Sequence, residues 1–146
     1  MKQNFVLVIF GITSNLAEKK FIPALYNLYK NKKLSGFDVL GISGRERSLV
    51  DYRGLVTKSI GVEDLGFLAK FDFMWGDVNK DDLFKKISEK LNKVVGGDLV
   101  YYLAVGSELY KPILVGLAKN GLNKKSACLT RLLIEKPFGK DLVLAL

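Results

Sequence analysis

The chain has 146 residues, with 23 Lys and Arg against 15 Asp and Glu and no histidine. This length suits one domain with a real core, and the absence of histidine removes the commonest zinc ligand and general base, so we predict no metal site. The net charge of +8 favours anionic partners, but the lysines are dispersed in short groups, so we expect no specific nucleic-acid binding.

Short β-rich runs alternate with longer segments of helical spacing. The predicted strands are Phe5 to Phe10, Phe37 to Ile42, Phe71 to Trp75, Leu99 to Val105 and Ala127 to Ile134. The predicted helices are Leu16 to Lys30, with a kink at Pro23, Leu49 to Ile60, Asp81 to Lys93 and Glu108 to Asn120. This alternation predicts crossover units in an α/β fold, a doubly wound, Rossmann-like parallel sheet with helices on both faces.

The first strand is also the most apolar part of the N-terminus. Its six residues are too few for a signal-peptide core and far too few to span a bilayer. We therefore expect a cytoplasmic protein that makes no use of a membrane.

A glycine-containing loop follows the first strand and opens the first helix. It reads Gly11-Ile12-Thr13-Ser14-Asn15-Leu16-Ala17. Helix N-terminal amides bind phosphates at this point of a doubly wound fold, so the loop predicts a dinucleotide pyrophosphate site. Ser14 stands where a glycine would let the backbone approach, and a left-handed serine there would cost about 1 to 2 kcal/mol. The alternative is a tight turn that only caps the helix.

The end of the second strand carries Ser43-Gly44-Arg45-Glu46-Arg47. A domain that prefers NAD usually offers a carboxylate there, whereas this chain offers a hydroxyl and an arginine. Ser43 and Arg45 therefore predict a site for the extra ribose phosphate of NADP, with ordinary loop charges as the alternative.

The fifth strand is followed by Glu135-Lys136-Pro137-Phe138-Gly139. This position is again the carboxyl edge of the sheet, where ligands bind in open α/β folds. Lys136 is a candidate for holding an anionic substrate beside the cofactor, with Glu135 orienting it. A surface salt bridge between the two is the alternative.

Residues 1–146 show no interdomain linker, so we predict one dinucleotide-binding domain. The final segment, Lys140 to Leu146, begins like a helix and stops after seven residues, too few for a stable isolated helix. We expect a piece of a longer architecture, truncated at its C-terminus; a frayed last turn is the alternative.

Three segments together resemble a known family. They are VIFGITSNLAEKKFIPALYNLY (8–29), YYLAVGSELY (101–110) and LIEKPFGKDL (133–142). They are similar to the N-terminal, NADP-binding domain of glucose-6-phosphate dehydrogenase, and IPALYNLY and IEKPFGKDL are the most specific parts. The family loop usually reads GASGDLA, so that Ser14 and Asn15 replace a glycine and an aspartate, and the family arginine aligns with Gly44, one place before Arg45.

The resemblance implies functional roles for individual residues. The pyrophosphate loop would comprise Gly11, Thr13, Ser14, Asn15 and Leu16; Ser43 and Arg45 would form the ribose-phosphate site, Ala104 would contact the cofactor, and Lys136 would face both substrate and nicotinamide. It also implies NADP as cofactor, a sugar phosphate as the substrate of the complete enzyme, and hydride transfer from glucose 6-phosphate to NADP in the pentose phosphate pathway.

The catalytic histidine of that family lies in a second, downstream α+β domain. This chain lacks histidine and that domain, so we expect coenzyme binding without catalysis by the chain alone. A homo-oligomer or a complementary subunit would be the partner. Two alternatives remain: another sugar oxidoreductase with a Glu-Lys-Pro segment, and a free-standing module that binds nucleotide or recruits a partner.

Overall fold

A computed structural model describes residues 4–34, 36–93, 97–124 and 129–134. The strands are β1 (Phe5–Phe10), β2 (Phe37–Ser43), β3 (Phe71–Trp75), β4 (Asp98–Leu103) and β5 (Thr130–Ile134). The helices are α1 (Ile22–Lys30), α2 (Leu49–Ile60), α3 (Leu65–Leu68), α4 (Asp81–Asn92) and α5 (Tyr110–Lys119). A π-helical turn, Ala17–Phe21, leads into α1, and a 3₁₀ turn, Ser107–Leu109, leads into α5.

The five strands form one sheet in the order β3-β2-β1-β4-β5, and every neighbouring pair is parallel. β1 lies at the centre, with Phe10 opposite Ile42 of β2 and Leu103 of β4. Because all strands run the same way, their carboxyl ends meet at one edge. The chain order reverses across β1 and β4, which opens a crevice at that edge.

Two hydrophobic cores flank the sheet. Alternate residues of β1 feed opposite cores: Val8 packs with α4 and α5 on one face, and Ile9 packs with α1 to α3 on the other. Both side chains are fully buried, as expected for a parallel sheet covered by helices on each side. Burial of each such side chain stabilises the fold by about 1.5 to 3 kcal/mol. The predicted doubly wound sheet is therefore confirmed.

The first helix differs from a plain α-helix. Its residues before Pro23 form the π turn, in which the Ile22 N–H donates to the carbonyl of Ala17, five residues back. Since Pro23 has no N–H and its ring would clash with the carbonyl of Lys19, the wider turn lets the proline enter α1 at its first turn. The sequence predicted a kink at Pro23; the structure has a π turn, Ala17–Phe21, shortly before it.

One helix was not predicted, and several boundaries differ from the prediction: β2 extends to Ser43, β4 spans Asp98–Leu103, α4 ends at Asn92 and α5 spans Tyr110–Lys119. The short helix α3, capped by Asp64 through the Phe67 N–H at 3.0 Å, was not predicted because four residues show no helical period. The predicted helix start at Glu108 lies in the 3₁₀ turn. Of the predicted strand Ala127 to Ile134, Thr130–Ile134 is a strand, and residues 125–128 lie outside the described residues.

Candidate functional site

The carboxyl ends of β1 and β4 bring two of the predicted residues together. Gly11 follows β1, and Ala104 follows β4. The Ala104 N–H donates to the Phe10 carbonyl at 2.8 Å, which continues the β1–β4 ladder to the crevice. The predicted pyrophosphate loop therefore begins at the switch point of the sheet, where doubly wound folds bind their ligands.

Gly11 occupies a position that only glycine suits. Its φ is +86°, and a Cβ added there would overlap the carbonyl oxygen of Ala104 and lie 2.8 Å from Cγ1 of Val105. Both the left-handed backbone and the close approach of two strand ends exclude a side chain. Gly11 thus sets the tight exit of β1 that turns the loop toward the crevice.

The loop is held by backbone hydrogen bonds to β2. The N–H groups of Gly11 and Ile12 both donate to the Ile42 carbonyl, at 2.9 and 3.1 Å, and the Ser14 N–H donates to Gly11 at 2.9 Å. The Ile12 side chain is buried in the core that α1 covers. These contacts anchor the loop to the sheet before the helix begins.

Ser14 caps the helical turn that begins at Asn15 and continues into the π turn. Its Oγ accepts a hydrogen bond from the Ala17 N–H at 3.2 Å, and its carbonyl accepts one from the Glu18 N–H at 3.0 Å. Ser14 does not adopt a positive φ; among the described residues, Lys32 is the only non-glycine residue that does. Ser14 therefore does not carry the cost of a left-handed backbone. Its hydroxyl caps the helix, as the alternative interpretation predicted, and the phosphate-binding role of the loop stays a prediction.

Three further amides remain at the helix start. In the described part of the chain, the N–H groups of Thr13, Asn15 and Leu16 have no acceptor. The Leu16 side chain packs against the buried core, whereas Asn15 is exposed, so the backbone rather than the side chain of Leu16 can meet a ligand. Unpaired amides at the positive end of a helix dipole suit a phosphate.

The end of β2 carries the second predicted group. Ser43 is buried at 2% exposure, and its hydroxyl donates to the Arg45 carbonyl at 3.0 Å while accepting from the Arg45 N–H at 3.2 Å. The Tyr52 hydroxyl donates to the same carbonyl at 3.2 Å. Because its only proton is used internally, Ser43 organises the backbone of Arg45.

The side chain of Arg45 is exposed. No ion pair or hydrogen bond of its guanidinium is found within the described ranges. Gly44, just before it, has open space around the position of a Cβ. A free cation at the end of β2 is what the prediction of a ribose-phosphate site needs.

A groove of about 280 Å³ connects these parts. It is lined by Phe10, Gly11, Ile42, Ser43, Gly44, Gly76, Asp77, Val78, Asn79, Val105 and Leu109. Sequence reasoning missed the turn from Gly76 to Asn79, although its place after β3 at the same edge was the available signal. There the Asn79 N–H donates to Asp77 Oδ1 at 2.9 Å, and this hydrogen bond is the main cause that holds the pKa of Asp77 below its usual range.

Other predicted features lie elsewhere or were not tested. Lys136, Glu135 and the segment Lys140 to Leu146 lie outside the described residues. Within the described ranges, no group of three or more Cys, Asp or Glu residues is placed to hold a metal ion. No described helix has the length and apolar character needed to cross a membrane.

The sheet order, the glycine exit from β1 and the unpaired amides define a doubly wound nucleotide-binding domain of the Rossmann class. Residues 8–145 match the family model described as "Glucose-6-phosphate dehydrogenase, NAD binding domain". The chain belongs to this family. The resemblance and the nicotinamide dinucleotide cofactor predicted from the sequence are thereby confirmed.

Relatives and solved structures agree with that assignment. The chain is 36% identical over 144 residues to glucose-6-phosphate 1-dehydrogenase of Borreliella burgdorferi, covering 95% of this chain and 30% of that protein. It is 32% identical to the Bacillus subtilis enzyme, covering 94% of this chain and 30% of the relative. The chain thus spans about 30% of the length of these relatives.

Two solved structures show the same fold. Glucose-6-phosphate 1-dehydrogenase from Mycobacterium avium superposes with a TM-score of 0.82 at 29% identity, covering 99% of this chain and 32% of that one. A glucose-6-phosphate dehydrogenase solved in complex with its substrate gives a TM-score of 0.84 at 25% identity, with the same coverage.

Proposed function

We propose that this chain is the NADP-binding part of a glucose-6-phosphate dehydrogenase-type oxidoreductase. When bound, the nicotinamide would accept the hydride from the sugar phosphate. In the pentose phosphate pathway this reaction supplies NADPH. The single observation that carries the proposal is the set of unpaired amides of Thr13, Asn15 and Leu16 beside the glycine exit of β1.

The pyrophosphate is the part of the cofactor that this site would hold most directly. Hydrogen bonds from backbone amides to a charged oxygen contribute about 1.5 to 3 kcal/mol each. Gly11 keeps the loop free of a Cβ where the strand ends meet. Ala104, buried at the end of β4, would form the opposite wall through its backbone.

The preference for NADP over NAD rests on Arg45. Its guanidinium would pair with the ribose phosphate, and no carboxylate stands at the end of β2 to favour a free ribose hydroxyl. Lys136 is proposed to contact the sugar phosphate and the nicotinamide, on the resemblance alone.

The 146 residues supply no histidine to act as the general base of the reaction. Proton removal from the sugar hydroxyl needs such a base. We propose that it binds coenzyme without oxidising glucose 6-phosphate. Turnover by the purified chain, with contaminating enzyme excluded, would contradict this. The single-domain organisation and a cytoplasmic location stay predictions.

Isothermal titration with NADP and NAD tests the binding proposal. We expect NADP to bind more tightly, and Arg45→Ala to weaken NADP binding about tenfold to a hundredfold, since it removes one charge-assisted contact, while NAD binding stays unchanged. The matched control is Arg131→Ala, which removes the same charge from the second residue of β5, at the end of the strand opposite the carboxyl edge. No heat at millimolar coenzyme would remove the cofactor proposal; equal affinities would remove only the preference.

A second function, recruitment of a partner, is favoured by β5. It is the last strand of the described sheet, and Leu132 and Leu133 point to opposite faces yet are 41% and 45% exposed. Exposed apolar groups on an edge strand are typical of interaction surfaces. Sedimentation over a range of concentrations tests this: association that is reduced by Leu133→Lys would support it, and a monomer at all concentrations would contradict it.

A further inference from the structure

The backbone of Arg45 is fixed from two sides. Its carbonyl oxygen accepts hydrogen bonds from the hydroxyls of Ser43, at 3.0 Å, and Tyr52, at 3.2 Å, and its N–H donates to Ser43 at 3.2 Å. Ser43 belongs to β2 and Tyr52 to the first turn of α2. The two elements that flank the loop therefore hold one residue between them.

This anchoring is needed because of the residue before Arg45. Gly44 has no neighbour within 4 Å of an added Cβ, and a glycine without packing leaves the backbone free to rotate. An arginine side chain that follows such a glycine would sample many positions. The three hydrogen bonds remove that freedom from the backbone, and only the side-chain rotamers remain.

The hydroxyl of Tyr52 is separable from the packing of its ring. The ring stacks on Phe73 with centroids 4.6 Å apart and planes 5° from parallel, and the residue is 3% exposed. A phenylalanine would keep that stack. The hydroxyl adds the bond to Arg45, so its removal changes the loop while the core keeps its shape.

We propose that Tyr52 is a positioning residue for coenzyme specificity, acting through the Arg45 backbone to hold the guanidinium where the 2′-phosphate of NADP binds. The inference rests on the proposed function. A 2′-phosphate is the group that distinguishes NADP from NAD, so loss of the anchor reduces the affinity for NADP and leaves that for NAD unchanged. One net hydrogen bond corresponds to about a threefold to tenfold change in affinity.

The experiment compares Tyr52→Phe with Tyr26→Phe by calorimetry. Tyr26→Phe also removes one hydroxyl hydrogen bond, the one to Asp64 at 3.0 Å. Asp64 caps α3, which precedes the amino end of β3, so this bond lies away from the carboxyl edge of the sheet. The probes are NADP against NAD, and adenosine 2′,5′-bisphosphate against 5′-AMP, pairs that differ only in the 2′-phosphate. We expect Tyr52→Phe to lower the NADP-to-NAD affinity ratio about threefold to tenfold, and Tyr26→Phe to leave it unchanged.

A double-mutant cycle tests whether the effect passes through Arg45. In an Arg45→Ala background, Tyr52→Phe should have no further effect on the ratio. Ser43→Ala is the second variant; it removes the other two hydrogen bonds and should lower the ratio in the same direction. Thermal unfolding of each variant reports whether the fold is retained.

The results distinguish failure of the positioning role of Tyr52 from failure of the proposed coenzyme binding. An unchanged ratio in Tyr52→Phe, or an equal loss for both coenzymes, overturns the positioning role while the proposed function stands. An effect of Tyr52→Phe that persists without Arg45 overturns it as well. If the wild-type chain binds neither coenzyme, the proposed function fails and this inference fails with it.

Discussion

Substitution of Gly11 by alanine tests both the fold and the site. The left-handed backbone of Gly11, with φ +86°, costs a residue with a Cβ about 1 to 2 kcal/mol. The overlap of that Cβ with the Ala104 carbonyl adds about 1 to 3 kcal/mol, because a backbone atom cannot move aside as a flexible side chain can. We expect a total loss of about 2 to 5 kcal/mol in the free energy of unfolding.

Gly61→Ala is the matched control. Gly61 caps α2 with φ +75°, yet nothing lies within 4 Å of its Cβ position, so this variant pays only the backbone cost of about 1 to 2 kcal/mol. Urea denaturation measures both variants, and with a slope of about 2 kcal/mol/M the Gly11 midpoint falls by about 1 to 2.5 M. Equal midpoints for the two variants, or unchanged NADP binding by folded Gly11→Ala, would refute the reasoning.

Three further predictions concern helices and burial. Gly116→Ala should destabilise the fold by about 1 to 3 kcal/mol because its Cβ would overlap the Phe84 ring. Gly54→Ala, in open space within α2, should stabilise it by about 0.5 to 1 kcal/mol. Chemical denaturation checks this: the free energy of unfolding should fall for the first variant and rise for the second. Ser14→Gly removes the hydroxyl that accepts from the Ala17 N–H and leaves this amide free for the pyrophosphate, so it should tighten NADP and NAD about equally, by about threefold; calorimetry showing weaker binding would contradict it. Burial raises the pKa of Tyr101 well above its usual value, so the folded form holds its proton longer than the unfolded form. The protonated Tyr101 therefore stabilises the folded form fully below pH 10, and above pH 10 the free energy of unfolding falls by about 1.4 kcal/mol per pH unit. In denaturation at pH 9 to 11, Tyr101→Phe should lose less of its free energy of unfolding than the wild type.

Local patterns were sufficient to predict most of the fold. β1 and β3 begin and end at the predicted residues, as does α2, because each is a strongly periodic or continuously apolar run with clear ends. The larger errors fall where the signal is local and weak: the unpredicted α3, the 3₁₀ turn before α5, and the π turn that Pro23 requires; the ends of β2, β4 and α4 differ by one or two residues. The loop after β1 was predicted as a phosphate site from its position between strand and helix.

The candidate site was predicted only in part. Gly11, Ala104 and Arg45 are found at one edge of the sheet, as expected from the carboxyl ends of parallel strands. The turn from Gly76 to Asn79 was missed because its residues carry no motif, and they join the groove only through the pairing of β3 with β2. The roles of the predicted cofactor contacts stay predictions.

The sequence by itself determined the alternation of strands and helices and the family, and it predicted the loop after β1 as a phosphate site, because periodicity, turn residues and short motifs are properties of neighbours along the chain. Only the tertiary structure decided that position 11 has no room for a side chain beside the Ala104 carbonyl. It also decided that Ser14 caps the helix and that the Ser43 and Tyr52 hydroxyls both donate to the Arg45 carbonyl. Gly11 meets Ala104 only because β1 pairs with β4. The other contacts join residues two to seven positions apart, and they depend on the course that the loop takes after each strand.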